Sequence, residues 1–169
     1  MNKQTVPVVE LELLGKTRRL QLMVSTPGWY KEVTGKSLEA LITILQHQFS
    51  ASLAVMRVNE AHAKALGVPV EELPPGEVVD PSSILDPKDS TTLEDMMADV
   101  PAAVYALAHW ADVAARPQGR KDIAQPGELT YEDMGAQLDL SDLSGLMAAV
   151  VEVYGVQAMK VKKDRHQVR

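Results

Sequence analysis

The chain has 169 residues, 46% of them hydrophobic, and a formal net charge of −6. That suffices to bury a sizeable core, in one domain or one domain with an insertion, and it excludes a disordered acidic polymer. With no cysteine in the sequence, disulfides, thiolate zinc sites, iron–sulfur clusters and cysteine nucleophiles are excluded, which fits a reducing compartment.

The first twenty residues lack the basic-then-apolar plan of a signal peptide, so a cytoplasmic protein is expected. Residues 8 to 24 then read as a hairpin. Val9, Leu11 and Leu13 alternate with Glu10 and Glu12, and beyond Leu14-Gly15-Lys16-Thr17 the alternation resumes with Leu20, Leu22 and Val24. Period two on both sides of a glycine turn marks two half-buried antiparallel strands. The glutamates of one strand and Arg18 and Arg19 of the other are placed for cross-strand pairing. In STPGWYKEVTGKSLEAL, Thr26 is a candidate cap, Pro27 suits a first helical position and Gly35 suits the left-handed stop. Ser37 caps a second helix with an apolar stripe of Leu38, Leu41, Ile42, Leu45 and Phe49.

Residues 51–66 fit either a strand or a continuing helix over SLAVMRV, followed by a short helix capped by Asn59 and stopped by Gly67. Six prolines and glycines over residues 69–87 predict a long irregular loop with an extended piece at Glu77 to Asp80. Thr91-Thr92-Leu93-Glu94 has the capping-box form. Asp99 with Pro101 suggests a fresh start, giving a helix to about Arg116 with a stripe of Val100, Ala103, Val104, Leu107, Ala111 and Ala114. VPAAVYALAHWADVAA is the most apolar run, but His109, Trp110 and Asp112 interrupt it well short of the roughly 18 apolar residues a membrane span requires. Asp112 and Arg116 stand at i, i+4, and His109 is expected on the polar side with Asp112. After a second loop at 117–129, Thr130 caps a short helix to about Leu138. Ser141 caps a last one with stripe Leu143, Leu146, Met147, Val150 and Tyr154, which Gly155 stops. The expected fold is α+β: an N-terminal antiparallel β-hairpin, with room for a third strand, packed on a mostly helical body. Residues 1–159 form one domain with a proline-rich insertion at about 51–99, and 160–169 a basic tail.

No motif for nucleotide, zinc-helix or serine-nucleophile chemistry occurs, and His47, His62, His109 and His166 are unclustered. No catalytic residue, metal or cofactor is expected. The last ten residues hold five basic side chains and one aspartate, which leaves −10 on residues 1–159. So acidic a body argues against nucleic acid as the main partner. The tail residues Lys160, Lys162, Lys163 and Arg165 read first as a solvated terminus and second as a contact for an acidic partner. Trp29, Tyr30 and Trp110 read first as packing residues and second as protein-binding anchors, where Trp and Tyr are enriched. A homo-oligomer is compatible with all of this.

Two blocks of the chain also carry a resemblance. LLGKTRRLQLMVSTPGWYKEVTGKSLEALI resembles the opening of the tail assembly chaperones of long-tailed bacteriophages and gene transfer agents. There a glycine-turn hairpin precedes a helix with an acidic residue, here Glu32, ahead of Thr34, Gly35, Lys36, Ser37 and Leu38. VYALAHWADVAA followed by ELTYEDMGAQLDLSDLSGLMAAVVEVYG is similar to that family's central and closing helices, through Thr130, Glu132, Asp133, Gly135, Leu138 and Asp139. The segment at 51–99 is longer and more proline-rich than the family pattern. The resemblance implies a non-catalytic chaperone of the host cytoplasm, absent from the mature virion, that binds the tape measure protein and tail tube subunits before the tube polymerises. The other readings are a structural virion component, such as a neck or tail-completion protein, and a small enzyme or metal-binding protein with a site around His62 and Glu71.

Overall fold

A computed structural model describes residues 8–89, 91–118, 120 and 122–166, with the side chains of 89 and 156–166 outside that description. The fold is α+β. Strands β1 (Val9–Leu13) and β2 (Lys16–Leu20) are followed by helices α1 (Thr26–Thr34), α2 (Leu38–Leu66), α3 (Leu93–Ala115), α4 (Tyr131–Gln137) and α5 (Leu143–His166). The chain divides into two compact units, one of residues 1–42 with 93–169 and one of residues 43–92, and the division falls inside α2.

In the first unit the hairpin turns through Leu14 (φ 53°) and Gly15 (φ 73°), a two-residue loop with both residues left-handed. That turn matches the right-handed twist of the strands and fixes the register Leu13 to Lys16, Leu11 to Arg18 and Val9 to Leu20. Among the described residues the sheet has these two strands and no third. Leu13 and Leu20 are buried, as the alternation predicts, whereas Val24 lies past the end of β2 and is exposed. Arg18 departs from the expected pairing with the glutamates. It shares the inner face with Leu20, so its guanidinium turns inward to the Gly127 carbonyl, 3.3 Å from both Nη atoms, and to Asp112 at 3.6 Å. Arg19 alone faces a glutamate, Glu10.

Helix α3 is the centre of this unit and packs on β2, α1, α4 and α5. From Asp99 to His109 every residue but Tyr105 is buried, so the helix is enclosed on all sides rather than along one stripe. Its alanines at 102, 103, 106 and 108 let neighbours approach closely. The expected fresh start at Asp99 does not occur: α3 is continuous from Leu93, and Pro101 lies inside it. Asp99 is free of capping duty because it is the partner of Lys36. Nor do Asp112 and Arg116 pair. Asp112 accepts the Leu129 N–H at 2.9 Å and faces Arg18, while Arg116 pairs with the buried Glu128.

Gly35 ends α1 at φ +71°, its N–H bonded to the Lys31 carbonyl at 2.7 Å. The Ser37 hydroxyl caps α2 through the Ala40 N–H at 3.4 Å, and Thr130 caps α4 through the Asp133 N–H at 3.1 Å. Two expected caps are reassigned. Ser25, not Thr26, occupies the cap position of α1, and Thr26 is wholly buried, accepting from the Met23 N–H at 2.9 Å. Ser141 turns its hydroxyl to Asp139 at 2.5 Å, while Asp142 accepts the Asp139 N–H at 2.9 Å. Leu143, Leu146, Ala149, Val150 and Val153 form the buried face of α5. Gly155 does not stop this helix. It keeps a negative φ, and the backbone runs on to His166.

In the second unit α2 continues without a break to Leu66, because no glycine or proline interrupts residues 38–66. Asn59 is therefore no cap. Its amide binds both polar groups of Val79, donating to the carbonyl at 3.2 Å and accepting the N–H at 2.9 Å. Gly67 (φ +69°) ends the helix as expected. The proline-rich loop folds into four single 3-10 turns, Val70–Glu72, Pro75–Glu77, Pro81–Ser83 and Pro87–Asp89. Asp80 caps the third through the Ser82 N–H at 2.7 Å, and the two Ser82 hydrogen bonds hold its carboxyl below the usual range.

Candidate interaction surface

Two of the seven aromatic residues, Trp29 and Tyr105, meet around one histidine, and a third, Tyr131, joins through Tyr105. His109 points from α3 toward α1 and takes the edge of Trp29, centroids 4.8 Å apart at 84°. Tyr105, one turn earlier on α3, lies 5.0 Å from the same imidazole, and Tyr131 of α4 meets Tyr105 at 6.4 Å. Edge-on and tilted contacts of this kind favour opposite ends of the ring quadrupoles and add to the area they bury. Trp29, Tyr105 and Tyr131 are half-buried, so each rests one side on the core and shows the other to solvent. Burial lowers the pKa of His109 and raises that of Tyr105, which leaves a neutral imidazole and a neutral phenol at the centre.

Beside this cluster lies a second aromatic contact. The Arg19 guanidinium sits 5.9 Å from the centre of the half-buried Trp110 ring, within cation–π range. The charges around the two are tied down internally. Arg116 holds Glu128, whose carboxyl is thereby kept below the usual carboxylate range, and Glu128 also accepts the Gln125 N–H at 2.9 Å.

The Thr-Gly-Lys-Ser-Leu corner is explained by its bonds. Thr34 donates to the Tyr30 carbonyl at 2.8 Å and accepts the Lys36 N–H at 3.1 Å. Lys36 reaches α3 and holds the buried Asp99 at 2.9 and 3.2 Å, with Asp95 at 3.5 Å. The hydrogen bond to Asp99 raises the Lys36 pKa, so the clamp stays charged. Next to the corner an open groove of about 530 Å³ has an apolar floor that includes Leu22, Pro27, Ile42 and Tyr154, with Lys31 and Glu39 on its rim.

Of the residues singled out from sequence, Trp29 and Trp110 are partly buried. Tyr30 is wholly buried under α3, and burial together with the Asp99 charge pushes its hydroxyl up to about 12. Consecutive residues on a helix point about 100° apart, which is why its neighbour faces outward. The side chains of Lys160, Lys162, Lys163 and Arg165 lie outside the described residues. His109 does not sit on a polar face but inside the aromatic cluster. Tyr131 was missed by sequence reasoning, since α4 brings it to Tyr105 only in three dimensions. His47 is exposed, and His62 bonds the Glu77 carbonyl at 2.9 Å rather than approaching Glu71. Among the described residues no group of three His, Asp or Glu could hold a metal ion, and no helix is long and apolar enough to cross a membrane.

Comparison of the chain with protein-family models, with curated proteins and with solved structures gives no match.

Proposed function

We propose that this chain is a protein-binding assembly factor, a tail assembly chaperone that holds the tape measure protein soluble until tail tube subunits replace it. The observation that carries the reading is where the two resembling blocks lie. They are separated by about sixty residues of sequence, yet they fold into one compact unit around α3, and residues 43–92 of the stretch between them make the other. The first block grips α3 through Lys36 and Asp99, and the second through the Tyr131 hydroxyl, which donates to the Ala98 carbonyl at 3.1 Å. A half-buried surface of Trp29, Tyr105 and Tyr131, with Trp110 nearby, has the composition of a binding hot spot. Covering exposed apolar helix on a client is the physical task of a holding chaperone, because such surface aggregates at working concentrations. The reading carries no catalytic step and no cofactor.

Co-expression tests it. The tagged chain is produced with the tape measure and tail tube proteins of its own gene cluster, and the soluble fraction is assayed for what co-elutes. The expected result is a soluble complex with the tape measure protein, lost to the pellet when this chain is left out. Trp29→Ala is expected to weaken the complex about tenfold or more, the usual range for a Trp anchor. A tape measure protein equally soluble with and without this chain would overturn the reading.

A further inference from the structure

The two edges of the hairpin differ. In a two-residue hairpin the residues flanking the loop form a hydrogen-bonded pair, so Leu13, Leu11 and Val9 on β1, with Lys16, Arg18 and Leu20 on β2, bond inward to each other. The alternate residues aim their N–H and C=O groups outward. On β2 the far end of that edge is taken: just beyond the strand the Gln21 N–H donates to the Leu107 carbonyl of α3 at 3.0 Å. On β1 the outward groups belong to Glu10 and Glu12, and among the described residues nothing bonds them. Beside β1 lies an open groove of about 530 Å³, bounded by Leu11, Glu12 and Leu13 on the strand and by Leu138, Asp142 and Leu146 at the α4–α5 corner. A strand laid 4.7–4.9 Å from β1 is what such an edge accepts.

The side chains along the edge say what kind of strand. An added strand shares the two faces of β1, so alternate residues meet the Leu11 and Leu13 row and the Glu10 and Glu12 row. Leu138 and the buried Leu146 add apolar lining to the groove, and Asp142 adds a carboxylate. In the existing ladder Arg19 faces Glu10 and Leu20 faces Val9, while Thr17 faces Glu12 and Arg18 and Lys16 stand opposite Leu11 and Leu13. A second copy of this chain pairing edge to edge through antiparallel β1 strands would set these glutamates against one another, which is destabilising. We propose that the open edge of β1 is a docking site for an extended partner segment that alternates apolar and basic residues, bound by strand addition. The inference stands apart from the tail-assembly reading and uses none of its residues for binding.

The probe is a capped six-residue peptide alternating arginine and valine, with the same peptide carrying glutamate for arginine as its counterpart. Titrated into the isotopically labelled full chain, the basic peptide is expected to slow exchange at the Glu10 and Glu12 amides at least tenfold. The Leu11 and Leu13 amides, already bonded to β2, stay as they are. Glu10→Pro removes one outward N–H at a position where an edge strand tolerates proline, and is expected to weaken binding at least tenfold. Glu10→Gln combined with Glu12→Gln keeps the backbone donors, and is expected to weaken binding about threefold and flatten its salt dependence. Unchanged exchange at Glu10 and Glu12 with peptide at about 1 mM overturns the proposal, as does equal binding of the glutamate peptide. Protection of the same two amides by concentration-dependent dimerisation, without peptide, would assign the edge to a second copy and overturn it too.

Discussion

In the unit formed by residues 1–42 and 93–169, a helix is surrounded: α3 has β2, α1, α4 and α5 against it, and ten of its residues are buried. In residues 43–92 a long helix is fastened to short turns. Its interior is small, with Leu45, Val55, Ala63 and Leu73 buried, and Leu53 and Met56 left about half exposed. What the second region lacks in apolar burial it replaces with polar fastening, above all the two hydrogen bonds between Asn59 and Val79 and the bond from His62 to the Glu77 carbonyl. Hydrophobic burial is cooperative across many residues, whereas a side-chain amide holds one point of a loop. The first region is therefore expected to open only as a whole, and the second piece by piece.

The largest effect that would break this contrast is in the core. Leu107 is 2% exposed, and Leu107→Ala is expected to cost about 3 kcal/mol, measured by denaturant unfolding followed through Trp29 and Trp110 fluorescence. Asn59→Ala leaves both polar groups of Val79 without their partner and is expected to cost about 1–2 kcal/mol. It should speed exchange at the Val79 amide and proteolysis within 67–89 while leaving exchange in α3 unchanged. Gly35→Ala meets no steric contact, so its cost is that of a left-handed alanine, about 1 kcal/mol by thermal unfolding.

The pH dependence sharpens the same contrast from inside the first region. Burial holds the His109 pKa below its ordinary 6.5, so the folded chain binds this proton less readily than the unfolded one. The neutral form costs nothing above about pH 6.5, and stability falls as pH drops below it, because the unfolded state takes up the proton first. The Glu128 contribution, from a lowered carboxyl pKa, is present above about pH 4.5 and is lost at still lower pH. His109→Gln is expected to flatten the upper window and leave the lower one.

Local signals in the sequence were readable where the chain's own neighbours decide the outcome. The hairpin alternation, Gly35 and Gly67 as helix stops, and the Ser37 and Thr130 caps are each fixed within a few residues. Three of the failures share a cause, which is that a distant partner competes for the same group. Asp99 looks like a cap until Lys36 claims it, Asn59 looks like a cap until Val79 claims it, and Arg18 looks like a partner for glutamates until Asp112 and Gly127 claim it. The aromatic surface was half legible. Trp29 and Trp110 stand out by residue type, but the burial of Tyr30 and the arrival of Tyr131 depend on how α1 and α4 lie on α3.

Hydrogen exchange along the whole chain, followed by mass spectrometry across a denaturant series, tests the contrast most directly. The account predicts that residues 99–109 of α3, the hairpin and the buried face of α5 exchange together at the highest free energy, with 43–92 opening at distinctly lower values. Exchange of all segments in one transition, or of α3 ahead of residues 43–92, would contradict it.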